Sequence, residues 1–325
     1  MSLKILLIRS SSMGDVVHAL PAALDIKRAL PAAELHWAVE ESFKDIPLLS
    51  PYVDKCVVTA FRRWRKRPFS AEVRAEVAAL KARLAAERYD LVIDLQGLLR
   101  SAMVARWSKA RSIGYSRASI REKLASFLYT ETRHVPVELG PVRRYRTMAA
   151  VCLGYEIDAG RPAFGLEPRA EAPLAIEGGF AALAVNTSRD EKLWPERDWI
   201  ELGGRLAAEG LASVIFWGSP AERARCERIA AGIEGAVVAP RLTLAELAAQ
   251  MKRSRLVVGV DTGLAHLGAA LALPSVGIIV NTPASLFSLV GEGPCRTLGD
   301  AGRPPSADEV FAACRQALAG KEAQP

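Results

Sequence analysis

Three short segments in the second half of this 325-residue chain carry side chains suited to gripping a diphosphate. In the first, Val185-Asn186-Thr187-Ser188 runs on to Lys192, offering two hydroxyls and a cation to phosphate oxygens. In the second, Trp217-Gly218-Ser219-Pro220-Ala221-Glu222, Ser stands three residues before Glu, with Pro at the first helical position. That is a capping box, and Glu222 is equally suited to accept bonds from ribose hydroxyls. In the third, Asp261-Thr262-Gly263-Leu264-Ala265-His266 opens a helix. The free N–H groups of Thr262, Gly263 and Leu264 would face an anion, the helix dipole favours one there, and His266 lies one turn in. Each segment alone reads equally as a solvated loop or a cap. Three together, all following apolar strand candidates, point to a nucleotide diphosphate.

The first half carries two further constellations. Ile8 to Pro21 reads as strand end, polar loop and helix, with one acid, Asp15, just past Met13-Gly14. A carboxylate there either caps the helix or acts as a base at a strand-end site, where open α/β sheets bind their ligands. Phe61 to Phe69 packs five cations into six residues, Arg62 to Arg67. As a loop after a strand, it fits a solvated surface, a nucleic-acid patch, or a clamp for phosphate groups on a large acceptor. Neither Gly-x-Gly-x-x-Gly nor Gly-x-x-x-x-Gly-Lys occurs, which argues against hydride transfer and against a P-loop kinase. No Asp-x-Asp pair occurs either. Helix N-termini and Lys192 are therefore expected to neutralise a leaving diphosphate without a metal or other cofactor.

These residues need a scaffold of alternating strands and helices. Strands are expected at 3–8, 34–39, 56–59, 89–95 and 112–115. Helices are expected from Met13-Gly14 onward and at 70–88, 98–107, 120–129 and 142–152. The pattern lapses between Gly154 and Pro173, where Gly and Pro break any regular element, so the linker belongs there. It then restarts, with strands at 183–187, 212–217, 236–239, 256–260 and 275–280. Helices are expected at 196–209, 220–231, 244–252, 264–271 and 307–318. Such alternation implies mostly parallel sheets. The expected fold is α/β, two Rossmann-like domains facing a central cleft, with boundaries at 1–160 and 161–325.

Composition narrows the class further. Half the residues are hydrophobic and 24% charged, an ordinary soluble globular balance without an apolar run long enough to span a bilayer. The opening apolar run is too short for a signal-peptide core, so a cytoplasmic protein is expected. Five scattered cysteines show no paired spacing, which leaves reduced thiols rather than disulfide or metal sites. Residues 1–160 hold 26 Lys and Arg against 17 Asp and Glu, whereas residues 161–325 hold 17 against 19. Any anionic partner is expected to meet the first half.

Ser11 to Val16, Arg62 to Lys66, Val92 to Leu98, Trp194-Pro195 and Asp261 to His266 occur in the order, and with the character, that resembles the lipopolysaccharide heptosyltransferases, most closely the type I enzymes of core assembly. The resemblance implies a GT-B glycosyltransferase with an N-terminal acceptor domain and a C-terminal nucleotide-sugar domain. It implies inverting transfer of heptose from ADP-heptose to the Kdo of a lipid A acceptor by a monomer at the cytoplasmic face of the inner membrane. Asp15 is the implied base. Thr187, Ser188, Lys192, Glu222, Asp261, Thr262, Gly263 and His266 would surround the ADP. Arg62, Arg63, Arg65, Lys66 and Arg121 would meet the acceptor's anionic groups. Related enzymes follow the strand at 275–280 with Gly-Pro-Thr-Asp-Pro, whereas this chain reads Val280-Asn281-Thr282-Pro283-Ala284, so no contact is carried over from that loop. A type II enzyme, another sugar-nucleotide transferase and a sugar-nucleotide epimerase are the alternatives within enzymes. A nucleic-acid-binding protein would explain the basic stretch but not the three anion grips, so no nucleic-acid partner is expected.

Overall fold

A computed structural model describes residues 2–158, 160 and 162–322. The chain divides into two compact units, Met1–Gly160 and Arg161–Pro325. The division falls inside the stretch expected to be the linker, of which Ala159 and Arg161 lie outside the described residues.

The first unit holds β1 (Lys4–Ile8), β2 (Glu34–Glu40), β3 (Lys55–Thr59), β4 (Leu91–Asp94), β5 (Ser112–Tyr115) and β6 (Glu131–Arg133). The second holds β7 (Gly179–Ala184), β8 (Leu211–Ile215), β9 (Val237–Val238), β10 (Leu256–Val260), β11 (Ser275–Ile278) and β12 (Cys295–Leu298). The sheets run β3-β2-β1-β4-β5-β6 and β12-β11-β10-β7-β8-β9, and every pairing between these strands is parallel. Central strands of such sheets are covered on both faces, hence the unbroken apolar runs of β1 and β10. In each sheet the strand order reverses beside its first strand, between β1 and β4 and between β7 and β10. The loops leaving those strands flank the crevice where doubly wound sheets take their ligands.

The helices bury the faces that their spacing dictates. Met13–Ala29 turns Val16, Val17, Leu20, Ala23 and Leu24 inward, and Glu196–Ala208 turns in Trp199, Leu202 and Leu206. Trp199 meets Trp194 edge-on, with ring centroids 5.0 Å apart. In the first unit, Asp25 on Met13–Ala29 pairs with Arg146 on Pro141–Leu153 at 2.6 Å, both side chains at most 10% exposed.

Four readings of the sequence are corrected. The segment 120–129 is not an α-helix; it is a turn followed by a 3₁₀ stretch, Lys123–Leu128. Its ends are pinned elsewhere: the Glu122 N–H donates to the Gly97 carbonyl, and the Tyr129 hydroxyl donates to Asp94. The basic stretch opens with a helical turn, Phe61–Trp64, because the Glu40 carboxylate caps it by accepting the N–H groups of Phe61 and Arg62. The strand expected at 183–187 is β7, which ends at Ala184 and frees Val185–Thr187 as loop. Edge strands β6 and β12 escaped detection because Glu-Thr-Arg and Cys-Arg-Thr-Leu lack an apolar run.

Replacing Asp25 with Ala should leave a buried guanidinium unpaired. Urea unfolding should then show the first unit destabilised by about 3–5 kcal/mol. A loss under 1 kcal/mol would mean that the pair adds nothing to the packing of these two helices.

Candidate active site

In the second unit, the β7 and β10 loops converge as the strand reversal requires. Lys192 Nζ lies 2.5 Å from Asp261 Oδ2, and the Thr187 hydroxyl donates to the Asp261 carbonyl at 3.0 Å. Thr282 donates to the same Asp261 carboxylate at 2.7 Å, from the loop left unassigned in the sequence. Asp261 therefore gathers a cation and a hydroxyl around one carboxylate, at the mouth of the helix Gly263–Ala270. Thr262 precedes that helix in extended geometry with no side-chain cap, so the first N–H groups of the helix point outward unclaimed by it. His266 is buried one turn in, its ring 5.0 Å from Phe287. Glycine at 259 lets this helix close on the sheet: a Cβ there would come within 3.0 Å of both Ala184 and Ala265. Ser188 follows Thr187 in the same loop and is exposed.

Glu222 forms the capping box that its spacing announced, Oε2 accepting the N–H groups of Gly218 and Ser219 at 2.7 and 3.0 Å. The loop after β8 thus lies on the same edge of the sheet as the other two. Lys192, Asp261, Thr187, Thr262 and Gly263 come together directly around the β7–β10 reversal, and Glu222 stands one strand further along.

In the first unit, Asp15 sits where the helix leaves β1. Its Oδ2 accepts from both the N–H and the hydroxyl of Ser12, so the capping reading holds. Its Oδ1 meets the Arg9 guanidinium at 2.6 Å and accepts from the Tyr145 hydroxyl at 3.2 Å. Arg9 is buried, donates to the Leu95 carbonyl and stacks 4.8 Å from the Tyr145 ring. Burial alone would raise the Asp15 pKa; the Arg9 charge and the Ser12 bonds outweigh it and hold the carboxyl below its usual range. With its side chain 35% exposed, Asp15 is an ionised carboxylate that solvent reaches.

The β4 loop supports it from the other side of the reversal. The Asp94 carboxyl accepts from the N–H groups of Gln96 and Gly97 and from Tyr129, and burial pushes its pKa up. Gln96 Oε1 accepts the N–H and hydroxyl of Ser10, tying the β1 and β4 loops together. Its Nε2 is buried without a partner among the described residues. Gly97 adopts φ +71°, a left-handed turn that a side chain would strain. Arg9, Gln96 and Tyr145 were missed in the sequence because nothing local marks them; only the Asp-Leu-Gln-Gly strand end hinted at the second.

The basic stretch divides by role. Arg63 is taken up by Glu41 and Glu76, and Trp64 Nε1 also donates to Glu76. Arg62 stacks 4.8 Å from the Phe43 ring. Arg65, Lys66 and Arg67 are exposed and make no ion pair among the described residues. Arg121 is exposed beside the Gly97 turn, held there by Glu122, whose carboxylate accepts the Leu99 N–H at 2.7 Å.

Each unit thus has its own strand-reversal site: the first presents an ionised carboxylate, the second an uncapped helix start beside a Lys–Asp pair. A family model described as glycosyltransferase family 9 (heptosyltransferase) matches residues 77–294. The chain belongs to that family. It is 38% identical over 292 residues to lipopolysaccharide heptosyltransferase 1 of Salmonella typhimurium, covering 89% of this chain and 92% of that protein. The Pseudomonas aeruginosa protein of the same name is 40% identical over 279 residues, covering 85% and 78%. The structure of E. coli heptosyltransferase WaaC with ADP superposes with a TM-score of 0.90 at 35% identity, covering 97% of this chain and 99% of that one. E. coli heptosyltransferase II, at 19% identity and a TM-score of 0.79 over 99% and 100% of the chains, shares the fold. The fold is thus that of the GT-B heptosyltransferases, and this family 9 member is a glycosyltransferase of the heptosyl class.

Because the Asp15 pKa is lowered, protonation of this family 9 carboxylate belongs below about pH 4, the ordinary value for Asp. The stability it contributes is present above that value and fades as pH falls through the lower folded pKa. A pH–rate profile of kcat/KM should accordingly show no acid limb from Asp15 between pH 8 and 5. An acid limb near pH 6 that vanishes in an Asp15 variant would contradict the Arg9 pairing.

Proposed function

We propose that this protein transfers heptose from ADP-heptose to a Kdo hydroxyl of a lipid A-linked acceptor, with inversion and in a single displacement. The observation that carries the reading is the Arg9–Asp15–Tyr145 cluster: a solvent-reachable carboxylate held ionised at the β1–β4 reversal. Similar proteins carry the name lipopolysaccharide heptosyltransferase 1, and a structure of WaaC with ADP-2-deoxy-2-fluoro heptose matches at 33% identity with a TM-score of 0.86. In this reading Asp15 takes the proton of the attacking hydroxyl as the glycosidic bond forms and the bond from the anomeric carbon to ADP oxygen breaks. Arg9 and Ser12 fix the carboxylate's orientation, and the acceptor hydroxyl would take the place of the longer 3.2 Å bond that Tyr145 donates to it.

ADP would lie against the helix start at Thr262-Gly263, where backbone N–H groups and the dipole offset the departing charge. Lys192 would exchange its bond with Asp261 for the diphosphate, and Thr187, Ser188 and Thr282 would supply hydroxyl donors. Glu222 retains Oε1 for the ribose while Oε2 stays in the cap. This assembly offsets the leaving charge with the chain's own groups, which supports transfer without a metal. Arg62, Arg65, Lys66 and Arg121 would meet the acceptor's phosphate and carboxylate groups, at the cytoplasmic face of the inner membrane. Arg63, committed to Glu41 and Glu76, serves as a support for that segment.

Turnover of ADP-heptose with Kdo-lipid A tests the reading. Asp15→Asn should lower kcat by about 10²–10⁴-fold with ADP affinity unchanged, because a positioned general base contributes on that order. The native enzyme should keep its rate in EDTA. Near-normal turnover in Asp15→Asn would reduce Asp15 to a cap, and activity lost in EDTA but restored by Mg²⁺ would reject the metal-free step.

The acceptor side has its own test. Arg65→Glu with Lys66→Glu should raise the acceptor KM at least tenfold at low salt, the effect shrinking as salt screens both charges. A KM indifferent to both substitutions and salt would remove this segment from the acceptor site.

A further inference from the structure

The helix Leu99–Trp107 leaves the β4 loop with one stripe exposed: Leu99, Met103 and Arg106, spaced three and four apart. Large apolar side chains on that stripe are 40% and 41% exposed, and on the adjoining 3₁₀ stretch Leu124 and Phe127 are 65% and 67% exposed. The two elements pack together, and the bond from Leu99 N–H to Glu122 fixes the turn against the helix. On the other side of the helix, Trp107 stacks on Phe61, which leads into the basic stretch and to Phe69, 87% exposed. Charge follows the same outline. Residues 99–128 contain seven Lys or Arg and a single acid, Glu122, whose carboxylate is already engaged. Arg106, Lys109, Arg117 and Lys123 make no ion pair among the described residues, and Arg117 lies over the Phe127 ring.

Scattered exposed apolar residues need no explanation, but four large ones on two packed elements whose cations Arg106, Arg117 and Lys123 make no ion pair among the described residues do. We infer that this face docks on an anionic lipid bilayer. Leu124 and Phe127 enter the headgroup–acyl boundary, while the surrounding cations lie at the level of the lipid phosphates. The combination of an apolar strip with a basic rim matches such a surface, where burial of apolar area and attraction to anionic headgroups add. A nucleic acid would match the rim but leave the strip unused. The inference deepens the reading above, since an acceptor anchored in a bilayer requires its enzyme at the bilayer surface; it assigns the contact to residues outside the acceptor and donor sites.

Co-sedimentation of the full chain with phosphatidylglycerol/phosphatidylethanolamine vesicles, free of any sugar lipid, decides it. The native chain should bind, less tightly as salt rises. Leu124→Ser with Phe127→Ser should weaken binding at least tenfold while Tm, ADP affinity and turnover on a deacylated, water-soluble Kdo acceptor stay as in the native chain. Phe127→Trp, which keeps an interfacial aromatic, should bind as tightly as the native chain. A native chain that ignores these vesicles overturns the inference, as does a double variant or a tryptophan variant that departs from these results. So does self-association abolished by the double substitution without vesicle binding, which would make the strip a contact between copies. If the native chain binds vesicles yet turns over no soluble acceptor, the docking face stands and the transferase reading falls.

Discussion

A parallel sheet whose strand order reverses forces two neighbouring strands to send their chains away to opposite faces. The carboxyl ends of those strands are left with a crevice that no connection crosses. Everything chemical in this protein depends on that constraint, met twice: at Ile8 and Asp94 in the first unit, and at Ala184 and Val260 in the second. Polar side chains collect there because loops at strand ends are the only segments of a two-sided buried sheet that reach water. Both units place an aspartate with a cation at the reversal, Asp15 with Arg9 and Asp261 with Lys192.

The two pairs are built differently. Arg9 is 9% exposed and locked by the Leu95 carbonyl and the Tyr145 ring, so it cannot leave Asp15 for another partner. A fixed cation of this kind keeps a carboxylate ionised and oriented at the expense of its intrinsic basicity. Lys192 is 20% exposed and carries its charge on a flexible stem from a loop rather than a strand. An ammonium so placed can trade one anion for another. The same ion-pair chemistry thus yields a locked carboxylate in one unit and a more exposed pair in the other.

Much of this is legible in the amino-acid sequence. Unbroken apolar runs located β1, β4 and β10, and the 3.6-residue spacing of Val73, Leu80 and Leu84 located the helix Ala71–Ala86. The capping box at Ser219 and Glu222 formed as its spacing required, since it is satisfied entirely by local bonds. Features that depend on distant residues were illegible for the same reason. Arg63 looked like part of an undifferentiated basic run, and only folding shows Glu76, thirteen positions on, bound to it through two guanidinium bonds. Thr282 sits in a loop of unfamiliar sequence, and its role emerges only because β11 runs beside β10 and delivers it to Asp261.

The Asp94–Gln96 turn shows why the first site needs support from a second strand. Asp94 is wholly buried, and its carboxyl is satisfied by two backbone N–H groups and the Tyr129 hydroxyl, a reach made possible because Gly114 leaves room for that ring. With the turn held rigid, Gln96 Oε1 grips Ser10 twice, and the loop carrying Ser12 and Asp15 inherits that rigidity. What remains is the Gln96 Nε2 group, buried and unpartnered among the described residues at the edge of the same crevice. As an amide donor beside the Ser10 and Asp94 loops, it is a polar group of the crevice wall rather than of the apolar core.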